Sequence, residues 1–193
     1  MRYSKDHKQA TRRRILDAAG RRFKQDGIDG AGVATVMADA GLTNGAFYAH
    51  FESKEDLVAN VLAEQLRAQR QSFEDQPSDG AGLEAFVRSY LSAEHRDQSA
   101  EGCPSAALLD EIARRPSDTR EVFTDEVMGV IGDIALRLNP TDAQAARADA
   151  LTVFGLMVGS LQLARTLTDR DLSDQLLAQA ETTALKLLDD FAR

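Results

Sequence analysis

Apolar residues recur along most of the chain at intervals of three and four, the spacing of amphipathic helices rather than of strands. Trp is absent and there are only four Pro, while alanine and leucine, both good helix formers, are abundant. We therefore predict an all-α fold, with a three-helix head at the N-terminus and a C-terminal helical bundle as the body. The predicted helices span residues 5–25, 33–40, 44–51, 54–73, 83–93, 104–113, 118–138, 141–167 and 172–191.

The two short helices of the head have the pattern of a helix-turn-helix. Apolar positions in 33–40 follow an i, i+3, i+4 spacing, and Gly41 is placed to supply the left-handed turn that ends the first helix. On the second helix Phe47 and Phe51 fall four apart and point inward. Its opposite face carries the small residues Gly45, Ala46 and Ala49. A helix with so bare an outer face can lie deep in a DNA major groove.

Residue types at the predicted helix starts indicate capping interactions. Thr43 is placed to N-cap the second short helix, Ser53 the helix 54–73, and Thr141 the helix 141–167. Cys103 precedes Pro104, and because proline suits the first helical position, we expect Cys103 at an N-cap.

The run from Ala40 to Leu57 reads AGLTNGAFYAHFESKEDL and resembles the DNA-binding signature of TetR-family transcriptional regulators. It agrees at many positions with fixed spacing, so it is more specific than a bare helix-turn-helix pattern, and it lies in the first third of the chain. The resemblance implies an all-helical homodimer that binds operator DNA through its N-terminal domain and a small molecule through its C-terminal domain. We expect these domains to be residues 1–53 and 54–193.

The helix-turn-helix offers two kinds of DNA contact. Asn44 opens the second helix and is suited to pairing with adenine, and the methyl groups of Ala46 and Ala49 are suited to thymine. The resemblance implies phosphate contacts from the hydroxyl, imidazole and ammonium groups nearby, although Tyr48 packing partly in the core and His50 as a plain surface residue are alternatives. The predicted DNA-binding residues are Thr35, Thr43, Asn44, Gly45, Ala46, Tyr48, Ala49, His50 and Lys54.

The charge distribution supports this interpretation. A net charge of −8 would by itself argue against DNA binding, but residues 1–54 carry 10 Lys and Arg against 6 Asp and Glu, a net charge of +4. The remaining residues carry 13 basic and 25 acidic side chains, a net charge of −12. A basic head on an acidic body is typical of a DNA-binding head. Within the cluster Arg12, Arg13 and Arg14, a DNA contact and a solvated role are both open.

The helix 141–167 has large apolar residues on one half and a strip of small residues on another. Such a helix is buried nearly all round, and the small strip lets a second helix approach closely. The resemblance implies a dimer interface here, and tight packing inside one subunit is the alternative. The predicted interface residues are Ala148, Thr152, Gly155, Gly159, Leu176, Ala180 and Leu187.

The body is expected to hold a mainly apolar effector pocket. Candidate lining residues are the aromatic, apolar or soft side chains Phe86, Tyr90, Cys103, Leu108, Phe123, Met128, Phe154 and Met157. A thiol at a helix N-terminus can gain thiolate character, so Cys103 is a candidate sensor of oxidants or electrophiles. We favour plain burial near the pocket, because a free cysteine is usually a buried packing residue.

Several function classes lack support in the sequence. Three scattered histidines and a lone cysteine form no catalytic or metal-binding pattern, so we predict neither an enzyme nor a cofactor. No apolar run is long enough to span a membrane, and the basic N-terminus is not followed by the apolar segment of a secretory signal. We therefore predict a cytoplasmic, dimeric repressor released from double-stranded operator DNA by a largely apolar small molecule. The alternatives are a thiol sensor using Cys103 and an architectural DNA-binding protein without an effector.

Overall fold

A computed structural model describes residues 2–191, with side chains described from residue 6 onward. Within this range the chain forms helices and turns and no strand, which confirms the all-α prediction. The elements are α1 Arg2–Asp26, α2 Val33–Asp39, a 3₁₀ helix Asn44–Ala49, α3 Lys54–Glu74, α4 Gly80–Tyr90, α5 Ala93–Asp97, α6 Pro104–Ala113, α7 Ser117–Leu138, α8 Arg147–Thr166 and α9 Arg170–Phe191.

Two stretches differ from the predicted helices. The segment predicted as one helix, 83–93, divides into α4 and α5, because the Ser92 hydroxyl accepts a hydrogen bond from the His95 backbone N–H at 3.1 Å and starts a new helix. The prediction that Thr141 caps the next helix is wrong. Both the backbone N–H and the hydroxyl of Thr141 donate to Asn139 Oδ1, which holds a turn, and α8 begins only at residue 147.

The turn between α2 and the 3₁₀ helix depends on Gly41, whose φ of 67° lies in the left-handed region. The Leu42 N–H donates to the Met37 oxygen at 2.9 Å and the Gly41 N–H to the Ala38 oxygen at 2.9 Å. This is a Schellman pair of bonds, and it satisfies carbonyl groups that the end of α2 leaves free. The predicted role of Gly41 is therefore confirmed.

Capping differs between the next two helices. Thr43 holds the N-cap position of the 3₁₀ helix but makes no side-chain capping bond, so its predicted capping role is wrong and its hydroxyl stays available. Ser53 accepts from the Asp56 N–H at 3.1 Å, while Asp56 accepts from the Glu52 N–H at 2.9 Å. These two hydrogen bonds fix the start of α3, and the first confirms the prediction that Ser53 is its N-cap.

The buried apolar side chains form two separate cores, one in the head and one in the body. The head core joins buried side chains of α1, α2 and the 3₁₀ helix to the first half of α3, and it includes Leu108 and Ile112 of α6. The body core joins Phe73, at the end of α3, to α4, α6, α7, α8 and α9. Helices α3 and α6 therefore contribute to both cores and connect the head to the body.

Candidate DNA-binding surface and effector cavity

The 3₁₀ helix separates its apolar and polar sides sharply. Phe47 and Phe51 are 1% and 2% exposed and their rings stack at 5.7 Å. Tyr48, in contrast, is 75% exposed and meets only the edge of Phe47, so it lies outside the core. Four further predicted DNA-binding residues on or next to this helix are also exposed: Thr43, Asn44, Gly45 and Ala49. Ala46 is half-buried.

Gly45 has no structural need to be glycine. Its φ is not in the left-handed region, and a Cβ added there would meet no atom within 4 Å. No packing contact within this chain therefore requires a glycine at position 45. This glycine leaves bare backbone on the outer surface, as close approach to a DNA groove requires.

The remaining predicted DNA-binding residues lie at the edges of this surface. Thr35 is exposed on α2. His50 is half-buried, its Nδ1 is buried without a partner, and burial lowers the pKa of the imidazole, with Lys8 and Arg12 adding to the effect. Lys54 is half-buried at the start of α3, where its only described contact is a long one, 3.4 Å from Nζ to the Asp29 oxygen.

The arginine cluster of α1 divides into structural and free side chains. Arg12 lies over the Phe51 ring, 4.2 Å from the centroid, and donates to the His50 oxygen at 2.6 Å and to Asn60 Oδ1 at 2.7 Å. Arg14 donates to the Ala40 oxygen at 2.6 Å, at the end of α2. Arg13 is exposed. Two of the three guanidinium groups therefore hold the helix-turn-helix together.

A cavity of about 570 Å³ lies where the head meets the body. Its walls come from α1, α3, α4, α5 and the segment leading into α6. The side chains around it are polar, charged and aromatic together, so the predicted mainly apolar lining is not what the structure has. The lining residues are Asp17, Arg21, Lys24, Gln65, Ala68, Gln69, Ser72, Phe73, Phe86, Ser89, Tyr90, Ser92, Glu94, His95, Gln98, Glu101, Gly102, Cys103 and Pro104.

Only three of the predicted pocket residues, Phe86, Tyr90 and Cys103, line this cavity. The others fill the two cores, because their helices turn those faces toward neighbouring helices. Leu108 lies in the head core and Phe123 packs against it. The body core contains or contacts Met128, Phe154 and Met157.

The polar lining residues were missed as functional candidates, although the sequence carried a signal. Gln65 and Gln69 lie in the apolar stripe of α3 with Leu62 and Leu66, where a polar side chain needs a reason. Lys24 follows the buried Phe23, and its Nζ donates to the Gly102 oxygen at 2.9 Å. That hydrogen bond joins α1 to the segment before α6, 78 residues further along the chain. The periodicity of one helix cannot predict such a long-range partner.

Cys103 is buried, at 6% exposed, on the cavity wall, as predicted. It also holds the N-cap position of α6, before Pro104. Its N–H donates to His95 Nε2 at 3.1 Å, while His95 Nδ1 lies 2.8 Å from the Tyr90 oxygen. One ring nitrogen therefore accepts and the other donates, which defines a neutral imidazole, and burial lowers its pKa accordingly.

The small strip of α8 packs against nothing inside the subunit. A Cβ added at Gly155 or Gly159 would meet no atom within 4 Å, so tight packing within one subunit does not explain the strip. Ala148 and Thr152 are exposed beside them, as is Leu163 on the same helix. On α9, Leu176 and Leu187 are half-buried, whereas Ala180 is 5% exposed within the body core and is therefore unsuited to an interface.

Among the described residues, no helix combines the length and apolarity needed to cross a membrane. No group of three or more His, Cys, Asp or Glu side chains within residues 6–191 is arranged to hold a metal ion.

A helix-turn-helix head joined to a helical body is the architecture of a DNA-binding transcriptional regulator, and comparison with known proteins agrees. Residues 15–61 match the family model for bacterial regulatory proteins of the tetR family. The transcriptional regulator LmrA of Bacillus subtilis (strain 168) is 27% identical over 165 residues, 81% of this chain and 87% of LmrA. The regulator AcrR of Shigella flexneri is 40% identical over 60 residues, 31% of this chain and only 28% of AcrR.

Solved structures share the whole fold. Reduced NemR of E. coli superposes with a TM-score of 0.77 at 20% identity, covering 91% of this chain and 95% of NemR. A TetR-family regulator from Agrobacterium tumefaciens gives a TM-score of 0.76 at 21% identity, over 93% and 97% of the two chains. Residues 15–61 therefore match the DNA-binding region of tetR-family regulators, and the chain as a whole shares the fold of these solved structures.

The Arg12 contacts generate a prediction. Arg12→Ala removes two charge-assisted hydrogen bonds and a cation–π contact, so we expect it to lower the free energy of unfolding by about 1–3 kcal/mol without DNA present. Arg13→Ala, at the exposed neighbour, is the matched control and should leave it within about 0.5 kcal/mol. Urea denaturation of each purified variant measures this. Equal stability of the two variants would contradict a structural role for Arg12.

Proposed function

We propose that this protein is a homodimeric, cytoplasmic repressor. Its heads bind an inverted-repeat operator, and a small molecule in the cavity between head and body releases them. The observation that carries the proposal is the 3₁₀ helix, which Phe47 and the following Phe51 anchor in the core while its outer face is bare and polar. We retain residues 1–53 and 54–193 as the DNA-binding and the ligand-binding and dimerisation domains, with the first turns of α3 packing under the head.

DNA contacts in this proposal follow from exposure and chemistry. Asn44, Ala46 and Ala49 read bases, and Gly45 lets the backbone come close. Hydroxyl, imidazole and ammonium groups around them bind phosphates and position the head. The phosphate-binding residues are Thr35, Thr43, Tyr48, His50 and Lys54.

Contacts between head and body give the effector a route to the DNA. The Ile28 N–H donates to Glu111 Oε2 at 2.7 Å, and Arg115 pairs with Asp29 at 2.7 Å and with Glu55 at 3.1 Å. Lys24 belongs to α1, so a ligand beside Lys24 contacts the helix that supports the helix-turn-helix through Arg12. For release, the ligand must bind the released arrangement more tightly than the DNA-bound one. The cavity favours this over an architectural protein without an effector.

The fold accommodates small molecules elsewhere. FadR from Bacillus subtilis, solved in complex with stearoyl-CoA, superposes with a TM-score of 0.67 at 17% identity, over 91% of this chain and 96% of FadR. That ligand is FadR's own, and the cavity of the present chain has a lining of its own.

The proposed division between base reading and phosphate binding is testable. Lys54→Ala should weaken binding to all duplexes and reduce the slope of log affinity against log salt by about one. Asn44→Ala should instead change the base preference at one position of each half-site. Selection from a random duplex pool measures the base preference of each variant. Affinities at several salt concentrations measure the salt slope. An identical, sequence-independent loss in the two variants would refute the division.

The proposed dimer face yields a second test. Gly155→Leu meets open space within the subunit, so any effect must come from a partner helix, where overpacking should cost about 1–3 kcal/mol or more. We expect this variant to sediment as a monomer and to lose operator affinity. Gly132→Leu on α7 is the matched control, because it also meets no atom within 4 Å. A Gly155→Leu protein that stays dimeric with full DNA affinity would place the interface elsewhere.

The alternative of a thiol sensor makes a different prediction. Cys103 is buried, so we expect peroxide to leave the operator complex intact and Cys103→Ser to bind DNA like the parent protein. Electrophoretic mobility shifts before and after oxidant treatment measure this. Release of the parent protein by peroxide, absent in Cys103→Ser, would establish the sensor instead.

A further inference from the structure

Lys24 is a half-buried cation on the cavity wall without an ion-pair partner among the described residues. Its Nζ has one described hydrogen bond, to the Gly102 oxygen, and no described carboxylate forms an ion pair with it. Burial is the main cause that lowers the pKa of Lys24 to about 8, against a weaker opposing effect of Glu101. A partly buried cation with a single neutral acceptor is poorly compensated, because a backbone oxygen replaces only part of its hydration.

Arg165 adds a second positive charge behind the same end of the cavity. From α8 its guanidinium donates to the backbone oxygens of His95, Arg96 and Ala106, at 2.8, 3.2 and 3.0 Å. These acceptors are neutral, and no described carboxylate pairs with Arg165. Burial lowers its pKa, and its charge acts unfavourably on Lys24.

The acidic lining residues offset these cations only weakly. Asp17, Glu94 and Glu101 are all exposed, where water screens their charge. Charges in the less solvated interior act more strongly. Among the described lining residues, no buried carboxylate therefore neutralises Lys24.

Unpaired polar atoms line the same cavity. Gln65 Oε1 and Gln69 Oε1 are buried and have no hydrogen-bond partner among the described residues. The two glutamines are one turn apart on α3 and present adjacent amides. A side-chain amide both donates and accepts, so this pair can bind a polar group of either kind.

An aromatic wall completes the cavity. The rings of Phe73 and Phe86 lie 4.5 Å apart, and those of Phe86 and Tyr90 lie 5.8 Å apart. Phe86 is only half-buried, which leaves part of its ring for a ligand. Flat apolar molecules pack well against such a wall.

We propose that the effector is a small organic carboxylate with a flat, preferably aromatic, body. Its carboxylate pairs with Lys24, its ring lies against Phe86, and a further polar group meets the amides of Gln65 and Gln69. This inference rests on the proposed function, because it names the class of molecule that occupies the proposed effector cavity. It replaces the largely apolar effector expected from the sequence.

Matched pairs of acids and neutral amides test this directly. The probes are benzoate and benzamide, 1-naphthoate and 1-naphthamide, and indole-3-acetate and indole-3-acetamide, titrated calorimetrically into the full-length dimer at pH 7. We expect at least one acid to bind about tenfold more tightly than its amide, since a charge-assisted pair is stronger than a neutral hydrogen bond. Lys24→Met should abolish that preference, and Lys24→Arg should retain it.

Lys186→Met is the control, because it removes the same charge from an exposed position on α9 outside the cavity. It should leave the preference unchanged, and circular dichroism should show that every variant is folded. The inference is overturned if no acid binds more tightly than its amide, which includes no binding at all. It is also overturned if Lys24→Met retains the preference.

Operator release, measured with the same compounds, separates this inference from the proposed function. Release by the preferred acid supports both. An acid that binds in a Lys24-dependent manner but leaves the DNA complex intact refutes the proposed release and supports the carboxylate site. Release by the neutral amide alone supports effector control and overturns the carboxylate inference.

Discussion

The DNA-binding surface depends on the anchoring of a very short helix. Six residues of 3₁₀ helix are not stable alone, so the position of Asn44 and Tyr48 is set by Phe47 and Phe51 in the head core. Arg12 reinforces this anchor from α1 by binding the backbone at the end of the 3₁₀ helix and covering the Phe51 ring. The outward face is therefore free to be small and polar, because it contributes nothing to folding.

Helix α1 connects the two proposed sites, because Arg12 contacts the helix-turn-helix and Lys24 lines the cavity. Close approach of α6 to the head is visible at Gly27, where an added Cβ would lie 2.9 Å from the Glu111 carboxylate. The contact between α6 and the head is both apolar and polar, since Leu108 is buried in the head core while Glu111 accepts a hydrogen bond from the Ile28 N–H. A change in the position of the head would therefore have to shift both kinds of contact together.

The cavity has the imbalance expected of a binding site. A protein optimised only for stability would pair Lys24 with a carboxylate or replace it, because a partly buried cation with one neutral acceptor costs free energy. The same holds for the buried Oε1 atoms of Gln65 and Gln69, which have no partner among the described residues. Likewise, an exposed small-residue strip on α8 contributes nothing to a monomer. These features become useful only when a ligand and a second subunit are present.

The amino-acid sequence by itself determined the helical fold, the helix-turn-helix and the resemblance of the head to tetR-family regulators, since these depend on local spacing and residue type. Ser53 as a cap, Gly41 as a turn and Cys103 before Pro104 follow from rules acting within a few residues. The tertiary structure alone decided which helix each face meets. It placed Leu108 in the head core and Ala180 in the body core, and brought Lys24 from α1 to Gly102. Periodicity shows that a face is buried but contains no information about its partner, because that partner is distant in sequence.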